Sequence, residues 1–318
     1  MQIGSVVAEL LDRGILEAGE CLSAGFSAEH LTGRNRLILI RTPTRTLSVK
    51  WHREPTAAAR EVTALTVIGS CRPDFHVQSL VDHRADRVVL ASSPGLRPVH
   101  ERWRGAGPSR RRAHRLGRAL ASLHAVPPPE GTPWSRMPFD PSSAGEELID
   151  ASSGTREAVR RIQDDERVID QVRELDVVLR SEGATFCHGD LRTHNVLGSS
   201  GADAALTLID WETACAGPRS FDLGAGLAMF IEFALVAGKG APDPVVLGAF
   251  LAGYADRAGG PVDLAVPLRC AGVRLLQTAV EYAAGTSEEL EIVERFCRIG
   301  SMLLRRPGEG AVHLRLVA

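Results

Sequence analysis

Lysine is almost absent from this 318-residue chain: of its 37 basic residues only Lys50 and Lys239 are lysine, and the others are arginine. A preference this strong reflects coding composition more than function, but it makes each retained lysine informative. No run is long and apolar enough to cross a bilayer; the most apolar stretch, 224–238, is short and carries Glu232. The amino-terminal sequence MQIGSVVAELLDRGILEAGE has acids inside its apolar run and no basic leader, so no signal peptide is expected. No C-x-x-C pair occurs among the six cysteines, whose wide scatter argues against a zinc site or disulfide framework and suits reduced thiols in the cytoplasm. A net charge of -2 gives no pull toward nucleic acid or a membrane. Internal repeats, coiled-coil heptads and low-complexity segments are also missing. What is left is a chain with 44% hydrophobic and 24% charged residues, ordinary for a globular protein and long enough for two lobes.

The first third alternates helix and strand signals. Helical spacing over Ile3–Leu16 ends at Gly19, and the runs Leu37–Ile40 and Thr46–Trp51 read as strands of a small antiparallel sheet. Gly25 and Ser27 are read as a turn between early strands, whose backbone N–H groups and hydroxyl would cover phosphates. Lys50 closes the alternation of its strand. A surface lysine is the commoner fate, but a compact ammonium is the form suited to phosphate oxygens. Eleven positions on, Glu61 lies in a helical stretch that would aim its carboxylate back at Lys50; Glu54, before Pro55, is the rival partner. Strands are expected over Val77–Leu80 and Arg87–Ala91, and Ser92-Ser93-Pro94-Gly95 then breaks the pattern. Residues 1–91 thus form one lobe, 92–96 a hinge and 97–318 a mainly helical lobe. Helices are expected over Ser109–His124, Thr155–Arg180, Leu223–Val236, Pro244–Ala255, Leu264–Ala284 and Ser287–Leu304.

The most informative stretch is FCHGDLRTHNVLGSSGADAALTLIDWETACAGPRSFDLG, from Phe186 to Gly224. Asp190 follows His188-Gly189, Asn195 comes five residues later, and the β-type run Leu206–Ile209 ends in Asp210. Phosphoryl transfer needs such a set: one carboxylate to orient the attacking hydroxyl, and an Asn and a second carboxylate to hold magnesium against phosphates. Singly, each residue has a bland reading as a turn former or helix cap. A carboxylate ending an apolar strand is harder to dismiss, because its burial needs compensation.

Together these residues resemble the aminoglycoside phosphotransferase family, the small-molecule branch of the protein-kinase-like fold. The match rests on His188-Gly189-Asp190-Leu191 through Asn195, on Ile209-Asp210-Trp211-Glu212, on Phe221-Asp222-Leu223 and on the helix ending LGRALASLH at His124. The resemblance implies an α+β, protein-kinase-like bilobal fold, with a small antiparallel-sheet N-lobe and a larger, mainly helical C-lobe. It implies Asp190 as the catalytic carboxylate and Asn195 and Asp210 as holders of Mg²⁺. Lys50, fixed by Glu61, would reach the phosphates of ATP or GTP, and the base would lie against the connection holding Ser93. His188 and Asp222 would brace the catalytic loop. The sequence departs from the family at Ala28, where an Asn is frequent, and at His194, where a small residue is. Arg192 and His194 would suit an anionic or peptide acceptor; Glu232 and Glu281, which interrupt apolar runs, would suit a cationic one or pair internally with Arg274. Three functions stay open: a phosphotransferase acting on an antibiotic or related metabolite, a kinase of Ser or Thr in a precursor peptide of natural-product biosynthesis, and a nucleotide-binding pseudokinase.

Overall fold

The computed structural model describes residues 2–31, 35–71, 73–128, 130–134, 137, 139, 153–199, 206–285 and 290–316. In chain order its elements begin with α1 (Ile3–Asp12), α2 (Ala18–Cys21), β1 (Ser27–Leu31), β2 (Arg36–Arg41) and β3 (Thr46–Trp51). Then come α3 (Pro55–Cys71), β4 (His76–Val77), β5 (Ser79–His83), β6 (Arg87–Ser92), β7 (Arg97–Pro98), α4 (Val99–Ala106) and α5 (Arg110–His124). The middle of the chain forms α6 (Ser153–Gln163), α7 (Glu166–Ser181), β8 (Ala184–Cys187), β9 (Val196–Gly198), β10 (Leu206–Leu208) and β11 (Cys215–Pro218). Five helices finish it: α8 (Arg219–Val236), α9 (Pro244–Ala258), α10 (Ala265–Gly285), α11 (Leu290–Arg305) and α12 (Pro307–His313). Contacts gather the chain into two compact units, Met1–Val99 with Asn195–Ala214, and His100–His194 with Cys215–Ala318.

The first unit holds a five-stranded antiparallel sheet of order β1-β2-β3-β6-β5. Period-two alternation sends Ile38, Ile40, Leu47, Val49 and Val89 into one core with Val6 and Leu10 of α1. Residues alternate faces along a strand, so Ser48 and Lys50 fall on the side of β3 opposite Leu47 and Val49. A second sheet, of order β4-β10-β9-β7, joins β10 to β4 in parallel and to β9 antiparallel. Gly25 and Ser27 do not form a turn between early strands: Gly25 precedes β1, and Ser27 opens it opposite Arg41. The largely exposed, polar SAEHL of β1 gives little alternation to read. The β1–β2 connection includes 32–34, outside the described residues. Val77–Leu80 is not one strand either, because the chain breaks at Gln78, whose buried amide donates to Ser48 Oγ at 3.2 Å.

The second unit is helical apart from the antiparallel pair β8–β11, which sets Cys187 opposite Cys215. Ser109 caps α5 by accepting the Arg112 N–H at 3.3 Å. The single helix expected over Thr155–Arg180 is two, because Asp165 caps a new start, accepting the Val168 N–H at 3.3 Å. The short α12 was not anticipated; Pro307 sits in its first turn, where a missing N–H costs nothing. Val172, Leu175, Leu276 and Val280 lie in one hydrophobic core cluster of this unit. Gly272 of α10 and Gly300 of α11 let two backbones touch: a Cβ on Gly272 would stand 2.6 Å from the Gly300 carbonyl oxygen. Among the described residues no helix is long and apolar enough to cross a membrane.

Candidate active site

In the first unit the predicted residues Lys50, Glu61 and Asp210 come together. Lys50 occupies the central strand, paired with Leu37 on one side and Val88 on the other, and is 8% exposed. Its ammonium lies 3.2 Å from Glu61 Oε2 and 2.9 Å from Glu212 Oε2, and it also bonds Asp210 Oδ1. The exposed Glu54 is not its partner. Three carboxylates thus face one ammonium. Glu61 is wholly buried, and its Oε1 accepts the Trp211 N–H at 3.2 Å. Burial opposes the charge on Lys50, yet Glu61, Asp210 and Glu212 outweigh it and raise its pKa.

His52, missed from the sequence, completes the cluster. Two residues after Lys50 on the same strand line, it is within 2.9 Å of Glu61 Oε2 and 3.1 Å of Glu212 Oε2. These contacts are close but not aligned as hydrogen bonds. Against burial, which alone would raise it, Glu61 is held below the ordinary carboxylate range by His52 and Lys50. Glu212, also against burial, is brought to about 2 by the same two groups. Asp210 behaves oppositely: burial, reinforced by the Glu212 and Glu61 charges, raises its pKa in spite of Lys50.

The backbone at Asp210 is itself unusual, with φ 69° and ψ 63°. Aspartate is one of the few side chains that visits this left-handed region, and such strain persists where the surroundings over-determine it. The Ile209 N–H donates to the Asn195 carbonyl at 3.0 Å, continuing the β9–β10 ladder, so Asn195 and Asp210 lie at the same end of that hairpin. The donors available there, a carboxylate and an amide oxygen amid surplus negative charge, are hard oxygen ligands of the kind Mg²⁺ takes. Also in this unit, a cavity of about 510 Å³ is lined by His76, Ser79, Ala91, Ser93 and Thr207. Gly25 and Ser27 are not among its lining residues.

In the second unit the loop after β8 is tied down by Asp222 at the start of α8. That buried carboxylate accepts the His188 N–H at 2.6 Å and the Gly189 N–H at 2.9 Å. Gly189 has φ 80°, a conformation that favours glycine. Asp222 in turn faces His124 Nε2 at 3.5 Å, and His124 Nδ1 meets the Tyr254 hydroxyl at 2.7 Å. His188 Nδ1 accepts the Asp190 N–H at 3.3 Å.

Asp190 Oδ1 receives two guanidinium groups, Arg192 Nε at 3.0 Å and Arg274 Nη2 at 3.0 Å. Burial alone would raise its pKa; Arg274, Arg192 and His188 bring it below the ordinary value instead. Arg192 also forks onto both oxygens of Glu281, at 3.1 Å each. The internal pair expected of Arg274 with Glu232 or Glu281 is therefore corrected: Arg274 pairs with Asp190, and Glu281 pairs with Arg192. Glu232 on α8 has its pKa raised by burial, with Arg274 and Arg192 pulling the other way. His194 lays its ring on His100, centroids 4.1 Å apart, and desolvation with the His100 and Arg192 charges lowers its pKa to about 4.

A family model, that of the APH phosphotransferase enzyme family, matches residues 32–264. No curated protein is detectably similar in sequence. Among solved structures, a microcompartment-associated aminopropanol kinase aligns with a TM-score of 0.63 at 18% identity, over 98% of this chain and 99% of the other. The Plasmodium vivax ethanolamine kinase gives 0.60 at 13% identity, over 95% and 90%. A spectinomycin phosphotransferase in complex with ADP and spectinomycin gives 0.60 at 11%, over 96% and 98%. At these identities the likeness is one of fold, which is α+β and protein-kinase-like, with a sheet-containing amino-terminal lobe and a helical carboxy-terminal lobe.

Proposed function

This chain belongs to the APH phosphotransferase enzyme family, and on that premise we propose that it is a Mg²⁺-dependent O-phosphotransferase moving the terminal phosphoryl group of ATP or GTP to a hydroxyl of a small molecule, such as an antibiotic or related metabolite. The observation that carries this reading is the Lys50 cluster, where three carboxylates surround one ammonium. Lys50, held by Glu61, reaches phosphate oxygens; Asn195 and Asp210 hold the metal, whose charge offsets the surplus of carboxylate. Ser93 and the cavity beside it take the base. When bound, Mg²⁺ and the nucleotide supply the phosphoryl group and neutralise charge developing on it.

Asp190 orients the acceptor hydroxyl. Its arginine partners keep it ionised, which makes it a firm hydrogen-bond acceptor and a reluctant base, and phosphoryl transfer asks chiefly for alignment. His188 and Asp222 brace the loop that carries it. Arg192, His194, Glu232 and Glu281 form the acceptor's surroundings. The six cysteines, free as far as they are described, suit a cytoplasmic setting.

The test is mass spectrometry of acceptors incubated with the protein, Mg²⁺ and either ATP or GTP. Aminopropanol, ethanolamine and spectinomycin lead the panel because proteins of this fold carry those names. Precursor peptides bearing Ser or Thr follow. One acceptor is expected to gain a phosphoryl group; no gain across the panel with either nucleotide refutes the proposal.

A further inference from the structure

Arg274 is the most enclosed cation near Asp190, only 6% exposed, and it interrupts the apolar middle of α10. A guanidinium so placed is strongly unfavourable unless compensated, so its partners indicate its purpose. Its guanidinium meets Gln277 Oε1 at 2.8 Å, one turn along the same helix, and Asp190 Oδ1 at 3.0 Å. Arg192 reaches the same Asp190 oxygen from within the loop, while its remaining nitrogens are engaged by Glu281. The loop carboxylate is therefore gripped from two directions, and Arg274 anchors it to a helix outside the loop.

We propose that Arg274 is a positioning residue, acting through Asp190 to hold that carboxylate in the single orientation that aligns an acceptor hydroxyl. This rests on Asp190 being the carboxylate that orients the acceptor. Arginine is suited to the task because its planar fork spans Asp190 and Gln277 at once, which a lysine ammonium does not do with the same rigidity. Charged and titratable groups acting on Asp190 include Arg274 from α10, and Arg192 and His188 from its own loop. Glu281 is taken up by Arg192, and Glu232 of α8 interacts with both arginines. Both cations favour the ionised form, so the Asp190 carboxyl is held below its ordinary value against the effect of burial.

The experiment uses the full chain labelled with ¹³C at aspartate carboxyls, the Asp190 resonance being identified by its loss in Asp190→Asn. Arg274→Gln is expected to move the Asp190 titration upward by about one pH unit or more, and Arg274→Lys by less. With MgATP alone as probe and water as acceptor, phosphate release is expected to fall about tenfold or more in Arg274→Gln and to recover in part in Arg274→Lys. Circular dichroism establishes that each variant is folded. A folded Arg274→Gln protein with either the wild-type titration or wild-type phosphate release overturns the proposal. Should the glutamine variant not fold, Arg274→Lys decides, and its equivalence to wild type in both measurements overturns the proposal equally. Wild-type release by Asp190→Asn refutes the role given to Asp190, while the titration still reports whether Arg274 governs that carboxylate.

Discussion

Replacing Lys50 with alanine removes the only ammonium among Glu61, Asp210 and Glu212. Glu61 is fully buried, and its partner Lys50 nearly so. Deleting one member of such a buried pair costs about 3–5 kcal/mol, because the remaining charge is left uncompensated. In the variant the carboxylates repel one another, so their folded-state pKa values rise above the unfolded ones. A raised folded pKa contributes stability that is present at low pH and lost as pH rises, so the deficit against wild type is largest near neutrality and shrinks toward about pH 4. Urea denaturation followed by circular dichroism at pH 7 and near pH 4 measures this. Added Mg²⁺ is expected to recover part of the loss at pH 7, since a cation relieves the same repulsion. The kcat/KM for nucleotide should fall as well. A Lys50→Ala protein with wild-type stability at pH 7 and unchanged kcat/KM for nucleotide refutes the account of this cluster.

Asp190→Asn is expected to abolish acceptor phosphorylation while leaving folding and nucleotide affinity near wild type; turnover by mass spectrometry and calorimetric titration with nucleotide check the two halves. Glu20 is held at about 2 by Arg45 and its backbone and hydroxyl partners, against burial. Its folded pKa is depressed, so its stabilisation is full above the unfolded value and disappears as pH falls toward about 2. Thermal denaturation of Glu20→Gln should show about 1–2 kcal/mol less stability than wild type at pH 7, discounted for the partly open Arg45, and a difference that closes in acid. Gly272→Ala forces a Cβ to 2.6 Å from the Gly300 carbonyl oxygen and should destabilise by about 1–3 kcal/mol in urea unfolding. Unchanged stability there contradicts the close α10–α11 approach.

Much of the local architecture was legible. The β3 strand spans Thr46–Trp51 as its alternation of residue types indicated, although as the central strand of the sheet it is buried on both faces from Leu47 to Lys50. The helices from α8 to α11 were foreseen because long apolar segments with Gly and Pro punctuation leave few alternatives. The failures have local causes. Asp165 looked like one more acid on a charged helix, yet it starts a helix; β1 is too polar and exposed to show a pattern. Of the turn expected at Gly25 and Ser27, Gly25 lies in a turn just ahead of β1, whereas Ser27 is already the first residue of that strand.

By itself the sequence determined the chemistry on offer. The order and spacing of Asp190, Asn195 and Asp210 are local properties of one continuous stretch, and a rare lysine at the end of a strand marked a second point of charge. Partnerships were another matter. Arg274 stands 84 residues beyond Asp190 in the numbering, and nothing in its helical neighbourhood says that it will bind that carboxylate rather than Glu232 or Glu281. His52 looked like an ordinary residue after a strand, but folding sets it beside Glu61 and Glu212. The segment Asn195–Ala214 follows Asp190 directly in sequence and yet gathers with the amino-terminal unit. Residue type and short-range spacing are written along the chain. Which opposite charges end up within 3 Å of one another depends on how buried groups are compensated when distant segments pack, and that only the tertiary structure decides.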